Sequence, residues 1–246
     1  MNKIRLSACL VALAALGLAP SAHAELTHRF SFKETPVKDS VGKAEGTLKG
    51  TAKVADGKLV IENGDKGSTD AALSYLEFKE SLLPKSGSVS LVMWFTAKEN
   101  PNFARLVNFG TTENDSGSAF LYITPRTQDG QSRAAISATD TSSKTALDFA
   151  ALDDNKPHCL VVIVDGTAKK LRVYVDGKSA GTPEDLGENT LDKVKATSNW
   201  IGKSSFPADG GLTASIDEFR VYDHALTADE VSAITTAGAD TLPPAK

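Results

Sequence analysis

Cysteine is almost missing from this 246-residue chain, which contains only Cys9 and Cys159. Cys9 falls in an N-terminal leader, so Cys159 is left alone and an intramolecular disulfide is excluded. Cys159 opens an apolar run over residues 159–164, where a lone thiol reads as a small buried hydrophobe. The adjacent His158 does not serve it as a base, because neighbours on a strand point to opposite faces. Aromatic residues are scarce as well, at 7% with two tryptophans, so a surface that stacks sugar rings has few candidates. Positive charge is in deficit: 27 Lys and Arg stand against 31 Asp and Glu, a net charge of −4. Loss of the leader removes Lys3 and Arg5 and takes −4 to −6. An acidic protein of this kind is a poor partner for nucleic acid or an anionic membrane. Also missing are Gly-x-Ser-x-Gly, His-Glu-x-x-His, a phosphate loop, a Cys-x-x-Cys pair and EF-hand spacing. Beyond the leader, His28, His158 and His224 are widely separated and have no metal-ligand spacing.

The leader has the form of a secretory signal. Lys3 and Arg5 precede an apolar run over residues 6–18, then Pro20, then Ala22-His23-Ala24 with small residues at the cleavage positions. The run is too short to span a bilayer as a helix, and no later run is long enough. Leu6-Ser7-Ala8-Cys9 resembles a lipoprotein box, but five residues precede it and none forms an apolar segment, so a lipid anchor is rejected. Residues 1–24 are therefore expected to be cleaved, leaving a protein that is secreted or periplasmic.

What remains is a succession of short strands punctuated by Gly, Asn, Asp and Ser. Strands are expected over residues 26–32, 58–62, 75–78, 89–96, 105–109, 119–124 and 133–138. A further pair covers 160–164 and 171–175, and the last two cover 200–202 and 213–222. The run 89–96 (VSLVMWFT) is dense enough to be central, with Trp94 in the core. In 171–175, Leu171, Val173 and Val175 alternate with Arg172 and Tyr174, which predicts one core face and one wet face. Asp165-Gly166 and Asp176-Gly177 are turn dipeptides. Thr227-Ala-Asp-Glu230 is a capping box for a short helix with Val231 and Ile234 on its apolar side, ended by Gly238. The pattern predicts an all-β, two-sheet antiparallel sandwich or jelly roll with one short C-terminal helix.

Three stretches resemble the laminin-G-like jelly-roll group of the concanavalin A-like lectin and glucanase fold. The first is 26–32 followed by Asp39-Ser-Val-Gly42 and Gly46-Thr-Leu. The second is 157–177, ending in Val-Tyr-Val-Asp-Gly. The third and most specific is Ile216-Asp-Glu-Phe-Arg-Val-Tyr-Asp-His-Ala-Leu226 with the capping box after it. Residues 81–145 match by strand pattern alone. The resemblance implies one domain over residues 25–237, with a loose tail over 238–246. It also implies a structural calcium ion near the chain termini, held by Asp217 as first candidate and Asp39 as second; a surface acid and a turn residue are the competing readings. His224, inside the closing motif, reads as structural.

The resemblance implies a ligand on the concave face and its rim loops, as in many such domains. The candidate ligand-binding residues are Trp200, Phe103 and Phe206, with Tyr122 and Arg126 on or beside a strand of that face. Packing beneath loops is the competing reading for each ring. No catalytic residue is assigned. The acid pattern Glu-x-Asp-x-x-Glu of related glucanases is met only by Glu113-Asn-Asp115-Ser-Gly-Ser118, which lacks the last acid and sits in a turn-rich stretch. Three functions follow from the fold analogy. A non-catalytic lectin-like module binding a glycan or cell-surface polysaccharide predicts an open face with rings and polar groups. An adhesion protein binding another extracellular protein predicts an exposed apolar patch. A divergent glycosidase or polysaccharide lyase predicts acids converging in a cleft.

Overall fold

A computed structural model describes residues 25–242; the expected signal segment 1–24 and the last four residues lie outside the described residues. The chain begins with β1 (Leu26–Phe30), β2 (Val37–Lys38), β3 (Glu45–Lys49), β4 (Lys53–Ala55), β5 (Lys58–Ile61) and β6 (Tyr75–Phe78). Its middle is β7 (Val89–Lys98), β8 (Val107–Glu113), β9 (Ser116–Thr124), β10 (Ser132–Ile136), β11 (Thr145–Phe149) and β12 (Asp154–Asp165). It closes with β13 (Lys170–Val175), β14 (Lys178–Ser179), β15 (Glu184–Asp185), a 3-10 turn at Leu191–Lys193, β16 (Ser198–Ile201), β17 (Ala214–Tyr222) and α1 (Ala228–Ala237).

These strands form two antiparallel sheets. The first runs β14-β13-β12-β7-β17-β5-β4, with β1 also on β17 and β15 also on β13. The second runs β11-β10-β9-β8-β16-β6-β3-β2. Between them lies the main core, to which β7 gives Leu91, Met93 and Phe95, β9 gives Leu121 and Ile123, and β17 gives Ile216, Phe219 and Val221. Alternation places the residues between these on the outer faces.

β7 lacks alternation because both its faces are covered. Val92 and Trp94 belong to a second apolar cluster with Val161, Ile163, Val231 and Ile234, beneath α1. Trp94 therefore lies outside the main core, under the Arg220 guanidinium at 4.6 Å from its ring centre. The face of β13 expected to be wet is partly covered for the same reason, since Tyr174 packs on this cluster. The capping box of α1 forms as expected: the Thr227 hydroxyl accepts the Glu230 N–H, and the Glu230 carboxylate accepts the Thr227 N–H.

The start of the expected loose tail is tied down. Arg220, fully buried, donates from Nη2 to the carbonyls of Gly238, Ala239 and Thr241. Glu218, also buried, accepts from both Arg220 and Arg29. Asp217 occupies a bulge, where the pairing of β17 with β7 shifts between Ile216 and Glu218. Among the described residues no helix is long and apolar enough to cross a membrane.

Candidate functional site

The outer face of the second sheet carries the rings. On β9, Phe120 and Tyr122 point away from the core. On β6, the alternation that buries Leu76 and Phe78 turns Tyr75 and Glu77 outward. On β16, Ile201 is buried and Trp200 is half-buried on the outer side. The segment that follows β16 divides this face into a sealed part and an open part.

The sealed part centres on Arg105, which is 2% exposed. Its guanidinium lies 3.9 Å from the centre of the Tyr122 ring, 5.4 Å from that of Phe206 and 5.9 Å from that of Phe103. Nη2 pairs with Asp209 at 2.7 Å, and Nη1 donates to the Phe103 carbonyl at 2.7 Å. Burial pushes the Asp209 carboxyl upward, against the opposing pull of Arg105 and of the Ser204 hydroxyl. Asn108, on β8, fixes the covering segment by accepting the Ser205 N–H and donating to the Ser205 hydroxyl. Phe206 then sits against Gly117, where a Cβ would fall 2.2 Å from the ring. Phe103, Phe206 and Tyr122 are thus brought together, but around an arginine of the protein itself, and Tyr122 is only 3% exposed. Arg126 lies beside them. It forms a forked pair with Asp153 and accepts the Phe103 N–H at its carbonyl, so its charge is already matched.

The open part centres on Trp200. Register places Trp200 opposite Glu77 and Lys49 opposite Tyr75, across three adjacent strands. The Tyr75 and Trp200 rings meet edge to face with centres 6.0 Å apart. Glu77 accepts the Trp200 indole N–H at 3.3 Å and pairs with Lys49 at 2.9 Å. The bond from Lys49 holds the Glu77 carboxyl below its ordinary value. Gly202, at φ +99, bends the chain where β16 ends, a conformation open to glycine. The bend returns Lys203 over both rings, with Nζ 4.8 Å from the Trp200 centre and 4.7 Å from the Tyr75 centre. Such a notch offers ring surface and charged groups side by side.

Of the residues at the open notch, the expectation included Trp200 alone, while Phe103, Phe206, Tyr122 and Arg126 fall in or beside the sealed part. The Tyr75-Leu-Glu-Phe78 alternation already carried the signal that Tyr75 and Glu77 share a face. Nothing local marked Lys49, Lys203 or Arg105, because strand register and the path of the covering segment bring them in.

The two acids expected to hold calcium are committed to other partners. Asp39 has a fully buried side chain that accepts the N–H groups of Arg29, Val41, Gly42 and Ala44 and faces His28 Nδ1. Asp217 pairs with Lys58 at 2.9 Å. Calcium needs six to eight oxygen ligands, which N–H donors and an ammonium oppose. These residues do not fit the ion, and among the described residues no group of three or more His, Cys, Asp or Glu side chains is placed to hold a metal. Glu113 and Asp115 flank the exposed tip of the β8–β9 hairpin, where Asn114 and Asp115 have φ of 50° and 58°. That is a turn, with no acid pair built for hydrolysis.

A cleft of about 620 Å³ lies elsewhere, bounded by Thr139, Ser143, Asp185, Glu188, Asn189 and Lys193 among others. No ring lines it. Asn189 spends its amide on the walls, accepting the Ala138 N–H and donating to the Ser143 carbonyl and the Thr145 hydroxyl.

Two antiparallel sheets in this order define a jelly-roll β-sandwich. The model of the concanavalin A-like lectin/glucanases superfamily matches residues 70–232, and the chain belongs to this family. No curated protein sequence matches the chain. Among solved structures, it is similar to domain 4 of AbnA, a GH43 extracellular arabinanase from Geobacillus stearothermophilus, in complex with arabinotriose. Identity there is 19% and TM-score 0.60, over 85% of this chain and 97% of that one. It is also similar to botulinum neurotoxin type C, which enters cells through interaction with two ganglioside molecules. That likeness has 13% identity and TM-score 0.62, over 87% of this chain and 50% of the other. A third is the CBM40 of the Ruminococcus gnavus IT-sialidase, bound to alpha2,3 sialyllactose, at 17% identity and TM-score 0.52, covering 61% of this chain and 83% of that one. These likenesses concern the fold.

Proposed function

We propose that this chain is a non-catalytic carbohydrate-binding module that acts outside the cytoplasm and takes its glycan on the Tyr75–Trp200 notch. The carrying observation is the half-buried edge-to-face ring pair, bordered by Glu77, Lys49 and Lys203. Sugars are held by an apolar ring face on their C–H side and by polar groups at their hydroxyls, and this notch supplies both. The family supports the reading, as do neighbours of the same fold that hold arabinotriose and sialyllactose. An adhesive role through an apolar patch has less support. Among the described residues the large hydrophobic side chains left exposed are Val41 and Leu242. The leader over residues 1–24 accounts for export.

A glycan array probed with the purified protein tests this reading. Selective binding to one glycan class, lost in Trp200→Ala with the fold intact, is the expected result. A blank array overturns the reading and shifts the role to protein binding.

A further inference from the structure

We infer that the ligand of this notch is an acidic saccharide, one bearing a carboxylate or a sulfate ester, with Lys203 as the residue that selects it. The inference rests on the proposed function and deepens it.

Charge at the notch is unevenly matched. Glu77 is satisfied by the ammonium of Lys49 at 2.9 Å and by the indole N–H of Trp200 at 3.3 Å. The Lys203 ammonium, by contrast, forms no ion pair or hydrogen bond among the described residues. Its contacts are the two ring faces. Lys49 and Lys203 against Glu77 leave one surplus positive charge on a protein whose total is −4. That surplus is local and placed.

Geometry sets what the charge can do. Ring contacts hold the ammonium at the notch without neutralising it. Half-burial also removes part of its water, which pushes the Lys203 amine downward; Glu77 opposes this shift and Lys49 adds to it. A neutral sugar stacking on Trp200 would offer this partly dehydrated cation hydroxyl oxygens alone, with no counter-charge. An anionic sugar supplies the missing partner while its ring rests on the same indole. A charge-assisted bond at a site of low dielectric is stronger than one in open water. The lysine contributes a point charge with rotating donors, so it accepts carboxylate and sulfate geometry alike.

The test measures solution affinity for an oligouronate, a sulfated oligosaccharide, a sialylated oligosaccharide and neutral counterparts of equal length. The wild-type protein, Lys203→Met and Lys203→Arg are compared. The wild type is expected to prefer at least one acidic ligand and to lose that preference with added salt. Lys203→Met is expected to weaken the acidic ligand roughly tenfold or more and the neutral one several-fold less, and Lys203→Arg to restore the preference. Carboxylate and sulfate are separated by which of the three acidic arms responds. Equal affinity for acidic and neutral ligands in the wild type overturns the inference and leaves the carbohydrate function standing. So does equal weakening of both by Lys203→Met, which would make the lysine a prop for the rings. Absence of binding in every arm overturns both.

Discussion

The Arg105 guanidinium lies over the Tyr122 ring, 3.9 Å from its centre, and closes the sheet face that would otherwise present that ring to a ligand. The same group is paired with the largely buried carboxylate of Asp209. Arg105 thus couples the covering segment to the sheet. Removing it leaves a desolvated acid with no counter-charge, a change that costs about 3–5 kcal/mol in other proteins. Arg105→Ala is expected to lose stability on that scale in urea titration, whereas Arg105→Lys, which keeps charge but not the flat stacking group, loses less.

Asp39 organises the loop between β2 and β3 and ties it to Arg29 of β1. Burial alone would raise its carboxyl, but the N–H groups of Arg29, Gly42 and Val41, together with His28, outweigh that and hold it below its ordinary value. Ionised Asp39 is therefore favoured by the folded state. Its contribution is present above about pH 4 and is lost as pH falls through the depressed folded value. Asp39→Asn is expected to cost about 1–3 kcal/mol at pH 7. The gap to wild type should shrink steadily when stability is measured from pH 5 down to pH 2.

Gly42 is required by closeness. A Cβ there would stand 2.4 Å from Asp39 Oδ2, 2.7 Å from His28 Nδ1 and 2.8 Å from the Thr27 carbonyl. Gly42→Ala is expected to destabilise by about 1–3 kcal/mol. Thermal unfolding checks this, with exposed Gly64→Ala as a reference for glycine replacement at a positive φ with nothing nearby.

Cys159 is buried, and its thiol is pushed up to about 11, chiefly by desolvation. At pH 8 the native protein should react with a thiol reagent far more slowly than the urea-unfolded chain, and the native rate should follow the opening of α1, whose Thr235 hydroxyl lies 3.7 Å from Sγ.

Calcium gives a further check. Because Asp39 and Asp217 already serve N–H donors and Lys58, chelator and added calcium should both leave the melting temperature unchanged. A rise with calcium would show a site built from other oxygens.

Local chemistry in the sequence determined a good deal. The Thr227–Glu230 capping box and the Asp176-Gly177 turn are short-range devices and formed as read, while the alternation in 171–175 set the core face but not the wet one, which Tyr174 shares with the cluster under α1. The all-β sandwich followed from many such devices acting together. The Asp39–Gly42 stretch was visible as a motif, but its purpose was not: the carboxylate meets N–H groups where a metal was expected. Only the tertiary structure decided which rings are open. Trp200 and Glu77 are 123 residues apart, and Arg105 and Asp209 are 104 apart; neither pair leaves a periodic trace in the chain. Alternation says which residues share a face of a strand. It does not say which strand lies beside it, nor which segment folds over the top, because those follow from burying a common core across the whole chain.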